Sequence, residues 1–291
     1  GEVVTGYSEQ ILNSLRAEYS TKIGFSGNII LLIIGQTLWI ILSLFLIFIL
    51  IKAISPQILQ RIPEIVFILF LFVLTVAGAA LLYKIEPSFL YLLPFPVIVL
   101  FMDSFFPTRL SLPLYIVFLI PLAIITDSYQ LLLINIMAGG VAVFVFKFWG
   151  SGWQQFMSAL LVFFAYLISD ISFHLISEGS FEQLSGMIFK NYGMASILMV
   201  ASYPLVFLFE KIFGFVSLSR LRDLADTGNK ALRELSEKAP GTMQHSLQVA
   251  NLAEMAARNI GANALLCRVG ALYHDIGKIN NPQYFTENQT A

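Results

Sequence analysis

Residues 28–54 read NIILLIIGQTLWIILSLFLIFILIKAI. A stretch of this length with Lys52 as its single charge is a bilayer-crossing helix, because a hydrocarbon core takes about 20 consecutive apolar residues at 1.5 Å rise each. A helix satisfies its own backbone groups where no water is at hand. Six further apolar runs follow closely: Glu64–Tyr83, Ser88 to about Phe106, about Leu110–Thr126, Tyr129–Trp149, about Trp153–Ser177 and Gly193–Ser217. The tight spacing makes most neighbouring spans antiparallel hairpins. Pro94, Pro96, Pro113, Pro121 and Pro204 lie inside spans, where bundle packing tolerates them. Gly139-Gly140 fits close helix packing, and Trp149 and Trp153 fit interfacial anchors.

Composition agrees. The 291 residues are 57% hydrophobic and 12% charged, against about 25% charged in ordinary soluble domains. So little charge could not cover a globule, which excludes a wholly soluble or a disordered chain. A net charge of −1 gives no reason to expect nucleic acid as a partner. Cys267 stands alone, excluding an internal disulfide and a cysteine-based metal site, and its apolar surroundings predict a small core residue.

Seven spans place the two ends on opposite sides. Lys52, Arg61, Arg109, Lys147, Lys211, Arg220 and Arg222 lie on the side of the C-terminus; Arg16, Lys22, Lys84 and Lys190 lie on the other. Seven against four predicts an external N-terminus and a cytoplasmic C-terminus. Residues 1–27 read as the end of an extracytoplasmic domain with a short amphipathic lead-in helix, Tyr7, Ile11, Leu12, Leu15 and Tyr19 sharing one face. The boundaries expected are 1–27 for that lead-in, 28–217 for the bundle, 218–238 for a connecting helix and 239–291 for a soluble helical domain. Residues 218–291 carry about fifteen of the 35 formal charges.

In that last part Thr242 is the expected N-cap of a helix running to about Ile260 and closed by Gly261. His245, Val249, Leu252, Ala253 and Ala256 share one face, so His245 is expected to point inward. A second helix from Asn263 puts Leu266, Val269, Gly270, Tyr273 and His274 on a buried face, Gly270 allowing close approach and Gly277 ending the helix. Asp275 follows His274, and two imidazoles with a carboxylate suit a first-row divalent cation. Such an ion lowers the pKa of bound water and neutralises phosphate.

The segments APGTMQHS (239–246), IGAN (260–263), YHDIGK (273–278) and FTENQ (285–289) resemble the HD phosphohydrolase superfamily. Within it they resemble the seven-transmembrane HDIG proteins, the membrane-bound cyclic-di-AMP phosphodiesterases. GEVVTGYSEQ (1–10) resembles the end of that family's external domain. The resemblance implies an all-α protein: a seven-helix transmembrane bundle followed by the N-terminal part of an all-helical cytoplasmic HD domain. It implies two divalent metal ions, Mn or Fe, and hydrolysis of cyclic-di-AMP to the linear dinucleotide in a bacterial cytoplasmic membrane. His245, His274 and Asp275 match the family's first three ligand positions; Asp275 and Lys278 are its catalytic candidates here. The chain reads as a fragment cut at both ends, and the family's later histidines and distal aspartate have no counterpart in it, so it is expected to be inactive by itself.

Other readings stand beside these. Lys278 either holds a substrate phosphate or pairs with a neighbouring carboxylate. Asn288 and Gln289 belong to a scaffolding turn. Asp170, His174 and Glu178 form a stripe at the outer end of the sixth span, read as interfacial polarity, with proton or ligand sensing as the other reading. A receptor that binds nucleotide without cleaving it, and an HD hydrolase of another nucleotide, are the competing functions. The expected partners are a cyclic dinucleotide, the lipid bilayer and an external ligand; self-association is left open.

Overall fold

A computed structural model describes residues 9–14, 29–126, 128–148, 154–179 and 186–289. All regular elements among them are helical. The bundle comprises α1 (Ile29–Ile54), α2 (Ile62–Ile85), α3 (Pro96–Phe105), α4 (Thr108–Thr126), α5 (Tyr129–Phe148), α6 (Gln154–Glu178), α7 (Gly186–Ala201) and α8 (Pro204–Phe213). The part beyond it comprises α9 (Leu218–Ala225), α10 (Lys230–Lys238), α11 (Pro240–Asn259) and α12 (Ala264–Tyr273). Only 9–14 of the lead-in is described, as a helical turn. The rest of 1–27, with Trp149 and Trp153, lies outside the described residues.

Five helical segments are long and apolar enough to cross a membrane, and α7 with α8, bent by 50°, makes a sixth. The apolar α5 is the remaining element of the bundle. This is a multi-pass membrane protein. Its outward apolar surface belongs to lipid: on α1, Leu31 and Phe45 are exposed, while Ser43, Ile47 and Ile51, four apart, form the buried stripe that seats against α4.

Proline has two outcomes here. Pro113 and Pro121 ride inside a continuous α4. Pro94 and Pro96 instead break the third span into a 3₁₀ turn, Pro87–Leu92, and the ten-residue α3. Pro204 starts α8 at the bend of the last span, and that span begins at Gly186 rather than at the expected Gly193. Of the glycine pair, Gly139 alone is a close approach: a Cβ there would lie 2.2 Å from the Tyr115 ring, whereas Gly140 has open space.

The structure corrects the interfacial reading of Asp170, which is 1% exposed. Its Oδ1 accepts from Gln130 of α5 (3.2 Å) and from the Tyr192 hydroxyl of α7 (3.1 Å), and His174 Nε2 stands 3.9 Å from Oδ2. Tyr192 stacks on Tyr166 at 4.8 Å, Tyr166 donates to Asn135 Oδ1, and Tyr115 donates to the Asn135 carbonyl. A polar chain thus ties α4 to α7. An Asp170→Leu change strands the buried Tyr192 hydroxyl and the half-buried Gln130 amide, so thermal unfolding in detergent should show a loss of about 1–2 kcal/mol, within the measured scale of interhelical hydrogen bonds. An interfacial carboxylate would show no loss.

At the other end, Phe67 meets Phe105, Phe106, Phe209, Phe213 and Phe215 at centroid distances of 5.1–6.2 Å. This aromatic plug fixes the exit of the last span. Gly214 (φ 69°) ends α8, Glu210 accepts from the Ser217 amide (2.9 Å), and Ser217 Oγ caps α9 by accepting from the Arg220 amide. The expected single connecting helix is two. Asp226 Oδ1 accepts from the Gly228 amide and Asn229 caps α10, so the Asp-Thr-Gly-Asn stretch at 226–229 turns the chain. Leu232, Leu235, Ala239, Met243, Ala250 and Leu272 then form a separate core under α10, α11 and α12.

Candidate metal centre

Two helices carry the candidate ligands. Ala239 is the N-cap of α11 and Pro240 its first residue, so Thr242 sits inside the first turn and is not the cap that the sequence suggested. The left-handed Gly261 (φ 71°) closes α11 as expected, its amide and that of Ala262 returning to Arg258 and Ala257. Asn263 caps α12 by accepting from the Leu266 amide at 3.0 Å. Arg268 of α12 reaches Asn251 (2.9 Å) and Glu254 (2.8 Å) of α11, pinning the register of the pair.

The buried face of α11 is Thr242, Met243, Ser246, Ala250 and Ala257. The expected inward face is therefore displaced: His245 is exposed, and Leu252 is 65% exposed. On α12 Val269 and Leu272 are buried, whereas Leu266, Cys267 and His274 are exposed. Cys267 is thus no core residue, and a Cβ on Gly270 would meet nothing within 4 Å.

The imidazoles nevertheless converge at the rim. The rings of His245 and His274 are 5.7 Å apart, and one ligand atom from each of His245, His274 and Asp275 lies within 4.8 Å of the others. The helix ends at Tyr273, before Gly277. Asp275 takes the bridge conformation (φ −108°, ψ 15°) and a 3₁₀ turn, Ile276–Asn280, follows. This departure lets consecutive residues face one point, which a continuing helix would separate by about 100°. His274 Nδ1 donates to the Ala271 carbonyl (2.7 Å), which fixes the tautomer and leaves the Nε2 lone pair available. Asp275 Oδ2 is 3.2 Å from that Nε2. Two imidazole nitrogens and a carboxylate, open on one side, fit a first-row divalent cation.

Lys278 shows the carboxylate pairing. Its ammonium lies 2.9 Å from Asp275 Oδ2 and 2.8 Å from Glu287 Oε1, over the Phe285 ring at 4.7 Å. Glu287 first, then Asp275, raises the Lys278 pKa, so the ammonium stays charged; Lys278 in turn holds Glu287 below the usual carboxylate range. Glu287 was not singled out from sequence. Its only signal was its place in FTENQ.

A family profile described as "7TM receptor with intracellular HD hydrolase" matches residues 30–217, well over half of the chain, and one described as "HD domain" matches 242–291. The cyclic-di-AMP phosphodiesterase PgpH of Listeria monocytogenes is 39% identical over 159 residues, covering 53% of this chain and 22% of that protein. PgpH of Bacillus subtilis is 47% identical over 95 residues, covering 33% and 13%. An uncharacterised protein of Synechocystis is 42% identical over 106 residues, covering 36% and 13%. The chain therefore spans less than a quarter of these relatives' length. No solved structure matches it. A helical membrane bundle continuous with the matched HD segment is the architecture that the profile describes, and the chain belongs to the family of seven-transmembrane receptors with an intracellular HD hydrolase.

Proposed function

We propose that the protein carrying this chain is an integral-membrane, metal-dependent phosphohydrolase that opens cyclic-di-AMP to the linear dinucleotide. The observation that carries the reading is the convergence of His245, His274 and Asp275 within 4.8 Å. The two PgpH relatives, both cyclic-di-AMP phosphodiesterases, support the substrate. The division into a bundle (28–217), a connector (218–238) and an HD part (239–291) is supported by the two profile matches. The excess of Lys and Arg beside the HD part supports a cytoplasmic active side and an external sensing side.

His245, His274 and Asp275 would hold divalent cations, Mn or Fe, two of them in the complete site. Such ions supply a nucleophilic oxygen at neutral pH and neutralise charge on phosphate. The chain's own residues do the positioning. Ala271 aims the His274 ring, and Lys278 holds Asp275 by one oxygen. In the reaction water adds across one phosphodiester: a new P–O bond forms at phosphorus, the bond to one ribose oxygen breaks, and that oxygen takes a proton.

The test is chromatography of cyclic-di-AMP incubated with the full-length protein and Mn²⁺ in detergent. Conversion to the linear dinucleotide, faster than that of cyclic-di-GMP, is expected. Tight binding without conversion, with Mn²⁺ or Fe²⁺, would establish the receptor reading instead.

A further inference from the structure

Asp275 and His245 stand on different elements, so something besides the helix contact must set their separation. His245 rides on the first turns of α11, and Asp275 opens the irregular stretch after α12. A polar chain closes the gap. Asp275 Oδ2 meets the Lys278 ammonium (2.9 Å), and the same ammonium meets Glu287 Oε1 (2.8 Å). That oxygen accepts from the Thr242 hydroxyl (3.2 Å). Asn288 then grips Thr242 twice: Oδ1 accepts from its amide (3.0 Å), and Nδ2 donates to its hydroxyl (2.8 Å). Thr242 is three residues from His245, so the chain runs from one candidate ligand to the backbone that bears another. Gly241 lets the Thr286–Asn288 turn approach, since a Cβ there would lie 1.8 Å from the Glu287 carbonyl oxygen.

We propose that Glu287 is a positioning residue for the metal centre, acting through Lys278 on Asp275 and through Thr242 on the helix that carries His245. The inference rests on the metal-centre reading above and deepens it. Glu287 shares the Lys278 charge with Asp275. Without that share, the ammonium turns wholly to Asp275 and competes with a cation for its oxygens. The link that sets Asp275 against α11 is cut as well. Both effects weaken metal binding in the same direction. Asn288 is the part that holds the turn: its two bonds to Thr242 leave the Glu287 carboxylate aimed at Lys278.

The experiment is a Mn²⁺ titration of the full-length protein in detergent, by calorimetry, for the parent, Glu287→Gln and Glu287→Asp, with metal-free melting recorded for each. Glu287→Gln should bind Mn²⁺ about tenfold more weakly, the lower end of what losing an outer partner of a ligand costs. Its metal-free melting should stay near the parent's, because Glu287 lies at the surface. Glu287→Asp, which keeps the charge, should recover part of the affinity. An unchanged affinity in Glu287→Gln overturns the proposal, as does a loss that only tracks a lower melting temperature. A parent that binds no Mn²⁺ overturns the metal-centre reading itself, and the positioning role falls with it.

Discussion

Changing His274 and Asp275 together to alanine should reduce Mn²⁺-dependent opening of cyclic-di-AMP by the full-length protein at least about a thousandfold. A divalent cation contributes several kcal/mol of charge stabilisation, and each 1.36 kcal/mol is about tenfold in rate. The double change removes two of the three candidate donors that lie within 4.8 Å of one another. The fold should survive, because His274 is exposed, Asp275 half-buried, and neither belongs to the core of Leu232, Leu235, Met243 and Leu272. Turnover should therefore fall while the melting temperature stays near the parent's. Two controls separate this from a general effect. His174→Asn alters the histidine of this chain that lies outside the candidate site, on α6 within the bundle, and should leave turnover with Mn²⁺ intact in detergent. His245→Ala, on the facing helix, should reproduce the loss. Turnover that persists in the double variant would put the chemistry on other residues.

The sequence revealed what composition alone decides and concealed what packing decides. A run such as residues 28–54 needs no partner to be read as a span, because lipid makes the same demand on every segment. Proline is different. Pro113 and Pro121 pass unnoticed in α4, yet Pro94, Pro96 and Pro204 break helices. Identical chemistry has two outcomes there, and composition does not tell them apart. Hydrophobic periodicity also misplaced the inward face of α11, since it weights Leu252 and Val249 above Ser246 and Ala250. The buried face runs instead through Thr242, Met243, Ser246, Ala250 and Ala257, while Leu252 lies toward the outside. Asp170 was visible as part of a stripe, but its partners Gln130 and Tyr192 lie 40 and 22 residues away. Only the fold could distinguish a buried hub from an interfacial charge. The pairing of His274 with Asp275 was legible because adjacency in sequence survives folding; the route from Asp275 to Thr242 through Glu287 was not, because it closes over 45 residues.

Gly241→Ala should be among the most damaging single-methyl changes in the HD part. A Cβ at this position would lie 1.8 Å from the Glu287 carbonyl oxygen and 2.5 Å from its carbon. The obstacle is backbone, so no side-chain rotation relieves it, and the Thr286–Asn288 turn must withdraw. Overpacking of this kind costs about 1–3 kcal/mol. Withdrawal also breaks the bonds from Asn288 to Thr242 and from Glu287 to Thr242 and Lys278. Metal-free melting should fall by several degrees, and Mn²⁺ affinity should fall further than in Glu287→Gln, since the helix bearing His245 loses every bond to the turn that carries Glu287. Gly277 supplies the comparison. It stands in the more conspicuous YHDIGK segment, yet a Cβ there meets nothing within 4 Å, so Gly277→Ala should alter neither quantity. If Gly241→Ala melted and bound Mn²⁺ like the parent, the turn would be free to move without consequence. The clamp between the turn and α11 would then have no part in holding the metal centre together.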